Sequence, residues 1–98
     1  MALRHLVLFR VHDAVPDADV EDALEQLASL GTLPGVLEWT VRLSDDRRKG
    51  RILVENGLFE GREAFEAFRV HPQHVQVSTV MRELADWWIG DYEEPADT

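Results

Sequence analysis

The sequence predicts an α+β protein with one four-stranded antiparallel sheet and helices packed on a single face of it. Segments in which apolar residues alternate, typical of strands, occur at the start, in the middle and near the end of the chain. Between them lie segments with the helical spacing of three and four residues. The predicted order is β, α, β, β, α, α, β, and two βαβ-like halves in 98 residues most economically form a ferredoxin-like sheet.

Composition limits the classes of protein to which the chain can belong. Its 19 acidic and 10 basic residues give a net charge of −9, which argues against nucleic-acid binding and against adhesion to anionic membranes. The absence of cysteine excludes disulfides, thiol catalysis and thiolate metal sites. Arg4, His5 and Arg10 interrupt the first apolar run, so it is neither a signal peptide nor a membrane span. We expect a cytoplasmic protein with no membrane or nucleic-acid partner.

The first strand covers residues 2–11 and is apolar on both faces. Alternate side chains of a strand point to opposite faces. One face carries Leu3, His5, Val7 and Phe9, and the other carries Leu6 and Leu8. In so short a chain we expect helices to cover the first face and a second subunit to cover the other.

The next segments are a helix and a hairpin. Pro16 and Asp17 begin a helix whose apolar stripe runs to Leu30, and Gly31 ends it. The strand at 36–43 alternates, with Leu37, Trp39, Val41 and Leu43 predicted on one face. The charged segment 44–50 is the exposed connection to a third strand.

The third strand covers residues 51–59, and Gly57 within it indicates a bulge or a close backbone approach. A second helix begins near Arg62 and is broken by Pro72; a third runs over 73–85. A last strand covers 87–92. We expect one domain over residues 1–93 and a disordered acidic tail over residues 94–98.

One face of the predicted sheet has no helix to cover it. Leu6, Leu8 and one of the adjacent Trp87 and Trp88 are expected there, and apolar surface of this kind usually marks an interface. A homodimer of twofold symmetry that pairs the two sheets is the simplest cover.

Five motifs in order carry a family likeness: RHLVLFRV at 4–11, LPGV at 33–36, FEGREAFEAF at 59–68, HPQH at 71–74 and WWIGDY at 87–92. Together they resemble the stress-responsive A/B barrel domain (Dabb) family, and the likeness runs from about residue 2 to residue 93. The resemblance implies a ferredoxin-like subunit whose sheet joins that of a second subunit in a dimeric α+β barrel.

An enzymatic branch of that family is similar to the plant polyketide cyclase that makes olivetolic acid by aldol chemistry in a pocket between sheet and helices. The resemblance implies that His74 is the catalytic histidine, that Asp91 orients it, and that His5 is a pocket histidine. The positions of the cyclase's catalytic tyrosine and of a further pocket histidine fall on Phe68 and Leu53. Any enzyme of this type would be a cyclase- or lyase-type acid–base catalyst without a cofactor.

The paired His74 and Asp91 have two interpretations. A histidine whose tautomer is fixed by a carboxylate suits a general base, but the same hydrogen bond could simply fasten the third helix to the last strand. His71 and His74 lack an evident third partner for a metal, so no metal is expected. His71 is expected to end the second helix by donating to a free carbonyl.

The aromatic residues also have two interpretations. They could line a cavity for a small apolar or aromatic ligand, or they could form plain core. The residues predicted to line a pocket are Val7, Phe9, Leu53, Phe65, Phe68 and His71.

Two hypotheses on function follow from the sequence. The first is a homodimer whose small apolar pocket binds or acts on a small carbonyl or polyketide-like compound by His–Asp acid–base chemistry; the second is a non-catalytic stress-associated structural dimer whose pocket is filled by side chains.

Overall fold

The computed structural model describes residues 1–95 and confirms the predicted order of elements. The elements are β1 (Ala2–Val11), α1 (Asp17–Ser29) with a 3₁₀ turn (Leu30–Thr32), β2 (Val36–Leu43), β3 (Ile52–Phe59), α2 (Arg62–Val70), α3 (Pro72–Leu84) and β4 (Ala85–Glu94). The four strands form one antiparallel sheet in the order β2-β3-β1-β4. This is the predicted ferredoxin-like arrangement. None of the described helices is long and apolar enough to cross a membrane.

The two faces of β1 differ as the alternation predicts. Leu3, Val7 and Phe9 are buried beneath the helices together with His5. On the opposite face Leu8 is 45% exposed, and its partner across β4 is Trp88, which is 61% exposed. Trp88 is therefore the tryptophan of the uncovered face, whereas Trp87 points toward the helices.

His71 forms the junction between α2 and α3. Its backbone N–H donates to the carbonyl of Phe68, and its Nδ1 accepts a hydrogen bond from the backbone N–H of Gln73 at 3.1 Å. Pro72 occupies the first turn of α3, where its missing N–H is not needed. The prediction that the imidazole donates to a free carbonyl of α2 is wrong, because the ring instead accepts at the N-terminus of α3.

Gly57 allows a close approach, as predicted. The ring of Trp39 lies over it, and a methyl group at Gly57 would come within 2.7 Å of that ring. Trp39 Nε1 donates to the carbonyl of Leu27 at 3.0 Å, which fixes the ring on the helix side of the sheet.

The irregularity in the sheet lies in β2, between Val36 and Glu38. The extra residue shifts the alternation by one, so Leu37 is 54% exposed instead of facing the core with Trp39. The prediction for Leu37 is therefore wrong.

The last strand is longer than predicted. It extends to Glu94, which pairs with Ala2 in the register and accepts a hydrogen bond from Nε of Arg4 at 2.8 Å. Glu94 is thus part of the sheet rather than of a tail. Residues 96–98, where most of the predicted tail falls, lie outside the described residues.

Candidate functional site

A cavity of about 180 Å³ lies between the sheet and the helices. It opens between α3 and the edge strand β4, where Ile89 is 59% exposed although it shares a face with the buried residues of the sheet. The residues that line it are His5, Val7, Phe9, Leu27, Leu30, Glu55, Phe65, Arg69, His74, Val77, Ser78, Met81, Arg82, Trp87 and Ile89.

Three of the predicted pocket residues, Val7, Phe9 and Phe65, line this cavity. Leu53 and Phe68 do not line it; they are 0% and 2% exposed and pack within the core. His71 also lies away from the cavity, as the cap of α3. Besides Val7, Phe9 and Phe65, the apolar wall is built by residues that were not predicted: Leu27, Leu30, Val77, Met81, Trp87 and Ile89.

His5 lies between two carboxylates. Its Nδ1 is 2.6 Å from Oδ1 of Asp91 on β4, and its Nε2 is 3.2 Å from Oε2 of Glu55 on β3. His5 and Glu55 are 5% and 4% exposed. The buried pair of His5 and Glu55 and the more exposed Asp91 together link the three strands β3, β1 and β4 beside the cavity.

Sequence reasoning missed Glu55. A signal was present, because alternation along β3 places Glu55 on the same face as Leu53, Gly57 and Phe59. An acidic residue at an inward position of an apolar strand needs a partner, since buried charges are stable only when they are paired.

The environment of His5 favours its protonated form. Burial by itself lowers the pKa of His5, but hydrogen bonding and charge attraction from Glu55, and then from Asp91, outweigh it and raise the pKa. A protonated imidazole offers a donor to each carboxylate and has no lone pair left. His5 is therefore suited to hold the two carboxylates in place and not to accept a proton from a ligand.

His74 has the opposite character. Its Nδ1 lies 3.0 Å from the carbonyl oxygen of Arg69, and because a carbonyl only accepts, Nδ1 carries the hydrogen. Burial lowers the pKa of His74 despite that hydrogen bond and the attraction of Glu55. The neutral ring then carries its lone pair on Nε2, so His74 can act as a base.

The predicted pairing of His74 with Asp91 is wrong. Asp91 lies directly opposite His5 in the register of β1 and β4, and it hydrogen-bonds that histidine. His74 is oriented by the last turn of α2 and packs against the ring of Phe68, with centroids 4.7 Å apart. His74 and Asp91 therefore do not form the hydrogen bond that was expected to tie α3 to β4.

The cavity also has a polar edge on the helix side, formed by His74, Ser78 and Arg82 of α3 and by Arg69 of α2. Within residues 1–95 no cluster of three or more histidine or acidic side chains has the arrangement of a metal site.

The fold and this cavity define a ferredoxin-like α+β domain with a small, mostly apolar site between its sheet and its helices. The sequence profile of the stress-responsive A/B barrel domain (Dabb) matches residues 3–94, so the chain belongs to this family. The resemblance seen in the five sequence motifs is thereby confirmed.

Solved structures share this fold at low sequence identity. A dimeric ferredoxin-like protein of unknown function from Thermobifida fusca is 21% identical with a TM-score of 0.84, covering 94% of this chain and 90% of its own. The hydroxynitrile lyase of Passiflora edulis is 15% identical with a TM-score of 0.82, covering 99% and 96%. SnoaB, a cofactor-independent oxygenase from Streptomyces nogalater, is 22% identical with a TM-score of 0.77, covering 98% and 95%. No protein with a curated functional description matches the chain in sequence.

Proposed function

We propose that this protein is a homodimer whose cavity binds a small carbonyl compound and removes a proton from the carbon beside the carbonyl, with His74 as the general base. The observation that carries the proposal is the state of His74. Its Nδ1 is committed to the carbonyl of Arg69, its pKa is lowered by burial, and its ring lines an apolar cavity.

The size of the cavity limits the substrate. Its volume of about 180 Å³ is close to that of an engineered cavity of about 150 Å³ that binds benzene. We therefore infer a compound with a single ring, or a short chain of similar volume, rather than an extended polyketide.

Glu55 is the carboxylate that would assist His74. Taking up a proton turns His74 into a cation; the negative charge of Glu55 favours that cation, whereas the positive charges of His5 and Arg69 oppose it. His5 and Asp91 act as positioning residues, because their contacts hold Glu55 at the wall of the cavity. Glu55 thus takes the supporting role that the sequence had suggested for Asp91, acting through its charge rather than through a hydrogen bond.

The known members of the fold are consistent with this chemistry. They include a hydroxynitrile lyase and a cofactor-independent oxygenase, each named for the conversion of a small molecule. The cyclase reaction itself is not supported, since Phe68 has no hydroxyl and does not line the cavity. A lyase-type proton transfer without a cofactor remains the chemistry that His74 supports.

The test is hydrogen exchange at a model substrate. Phenylacetone in D₂O, followed by NMR, is expected to exchange its benzylic protons faster in the presence of the protein. His74→Gln should reduce this catalysed rate by about 100-fold or more, as the loss of a general base usually does. His12→Gln, which changes an exposed histidine outside the cavity, is the matched control and should leave the rate unchanged. Equal rates in the wild type, His74→Gln and His12→Gln proteins would refute the proposal.

The uncovered sheet face supports the homodimer. Leu8, Trp88 and Tyr92 expose 45%, 61% and 52% of their surface there, and neighbouring exposed apolar side chains of this kind are typical of an interface. Two proteins of the same fold are described as dimeric.

The alternative hypothesis, a non-catalytic structural dimer, required a pocket filled by side chains. The open volume of the cavity favours the ligand-binding hypothesis instead. A cytoplasmic location stays a prediction.

A further inference from the structure

We propose that the ligand of this cavity is an anion, a single-ring or short-chain compound whose carboxylate binds Arg82 and Ser78 at the mouth. This inference rests on the proposed function, in which the cavity holds a small ligand, and it adds the chemical class of that ligand. It is carried by the arrangement of polar side chains along α3 and by the free guanidinium at the end of that arrangement.

His74, Ser78 and Arg82 all line the cavity, and they recur at intervals of four residues. Residues four apart lie on one face of a helix. Val77 and Met81, which are buried, line the cavity beside them. The helix therefore presents an apolar edge toward the interior and a polar edge toward the mouth.

Arg82 has no ion pair or hydrogen-bond partner within the part of the chain that the structure describes. The other arginine of the mouth, Arg69, contacts the carboxylate of Glu66 at 3.1 Å. The hydroxyl of Ser78 also makes no hydrogen bond to another described residue. A guanidinium and a hydroxyl at the rim of an apolar cavity are donors that match the two oxygens of a carboxylate.

The neighbouring charges favour an anion at the mouth and disfavour one deeper inside. Glu55 at the inner wall is negative and paired with His5, so a ligand carboxylate would be repelled there. At the mouth the nearest cavity-lining charges are the cationic Arg69 and Arg82. Because Arg69 is paired with Glu66, the positive charge that a ligand would meet there is chiefly that of Arg82.

The distance between His74 and Arg82, the two ends of the polar edge of α3, leaves room for a ligand with a single ring. His74 and Arg82 are two turns apart, or about 12 Å between their backbones. Long side chains on a helix lean toward its N-terminus, which directs Arg82 back toward His74. A carboxylate at Arg82 would thus leave the opposite substituent of a single ring near Nε2 of His74.

The inference is tested with two probes of nearly equal shape, phenylacetate and phenylacetamide, whose binding is measured by calorimetry. The wild type is expected to bind phenylacetate at least about tenfold more tightly, a difference typical of one charge-assisted contact. Arg82→Gln should abolish this preference without weakening phenylacetamide, and Ser78→Ala should reduce it. Arg47→Gln removes the same charge from the exposed 44–50 connection, outside the cavity, and should leave the preference intact.

Equal binding of the two probes by the wild type, or an unchanged preference in Arg82→Gln, would overturn the inference. Arg82 is exposed, so its substitution is expected to leave the fold intact, and Ser78→Ala provides a second variant. Phenylacetone exchange that depends on His74 without any preference for phenylacetate would overturn this inference alone. Preference for phenylacetate without exchange would support the anion site and overturn the proposed base. Failure of both phenylacetate and phenylacetamide to bind would also overturn this inference, whereas the proposed base at His74 is then decided by the exchange of phenylacetone alone.

Discussion

Oδ1 of Asp91 lies 2.6 Å from Nδ1 of His5, so the last strand orients the histidine of the first strand and not the histidine of α3. Together with Glu55 this contact separates the two cavity histidines into different roles. His5 is held between carboxylates, while His74 keeps a free ring nitrogen. The roles can be tested separately because the two side chains share no hydrogen bond.

Removing His5 alone should destabilise the protein strongly. His5→Leu leaves the carboxylate of Glu55, which is 4% exposed, without its partner. We expect the free energy of unfolding to fall by about 3 to 5 kcal/mol, the usual cost of breaking a buried pair. The double variant His5→Leu with Glu55→Leu should recover most of this loss, since no buried charge remains. Urea denaturation gives the values, and a double variant no more stable than the single one would contradict the role of Glu55.

The network should also make stability depend on pH. Because the folded-state pKa of His5 is raised above its ordinary value of 6.5, its stabilising contribution is complete below that value and is lost as pH rises through the folded pKa. The free energy of unfolding should therefore decline above pH 6.5 more steeply in the wild type than in the His5→Leu, Glu55→Leu double variant. Parallel curves for the two proteins would show that His5 is not the titrating group.

His74 should show the opposite dependence. Its pKa lies below 6.5 in the folded protein, so its contribution to stability is present above 6.5 and is lost as pH falls through the folded pKa. The added proton occupies the lone pair of Nε2, so protonated His74 can no longer act as a base. The rate of catalysed exchange should therefore fall in that acidic range and reach a constant value at neutral pH. NMR titration of the ring protons should find His74 titrating below His5. The reverse order would contradict the assignment.

Gly57 should tolerate no side chain. A methyl group there would lie 2.7 Å from the ring of Trp39, which is fixed by its hydrogen bond to Leu27. We expect Gly57→Ala to lower the free energy of unfolding by about 1 to 3 kcal/mol through overpacking. The control is Gly90→Ala, whose added methyl has no atom within 4 Å in its own subunit and should change stability little. Because Gly90 lies on the uncovered face, both variants are compared in a protein that also carries Trp88→Arg. Thermal unfolding of both variants is the measurement, and equal effects would contradict the packing argument.

The uncovered face should decide the oligomeric state. Sedimentation equilibrium of the wild type is expected to give twice the chain mass of 11.2 kDa. Trp88→Arg should give the mass of a single chain, because it places a charge among the apolar side chains of the pairing face. Val70→Arg, at a position 73% exposed on α2, should remain a dimer. A single-chain mass for the wild type would refute the homodimer.

Elements of the fold were predictable because local signals mark them. Pro16 and Pro72 act within a turn of the backbone, and alternation in β1 separates the buried face of Leu3 from the exposed face of Leu8. Gly31 does not end the helix as predicted, because it lies inside the 3₁₀ turn Leu30–Thr32 that follows α1. Leu37 was misplaced because a bulge interrupts the alternation without a local sequence signal. Glu94 was assigned to a tail because its partner, Arg4, lies at the other end of the chain.

The site was less predictable, since its contacts depend on register between distant strands. His5 and His74 were found from residue type and family likeness, and both line the cavity. The pairing of Asp91 required knowing that it stands opposite His5 in the sheet. Glu55 replaces Leu53 at the cavity for the same reason, because Glu55 is the β3 residue opposite Val7.

The central place of β1 in the sheet has a consequence for how the protein folds. The contact between His5 and Asp91 spans 86 positions of the sequence. Pairings of such long separation must close large loops, and chains dominated by them fold slowly. The hairpin of β2 and β3 can form locally, but the histidine wall cannot exist until β4 has joined β1. Hydrogen exchange during refolding should therefore protect the β2–β3 amides before those of β4, and ligand binding should report the final step.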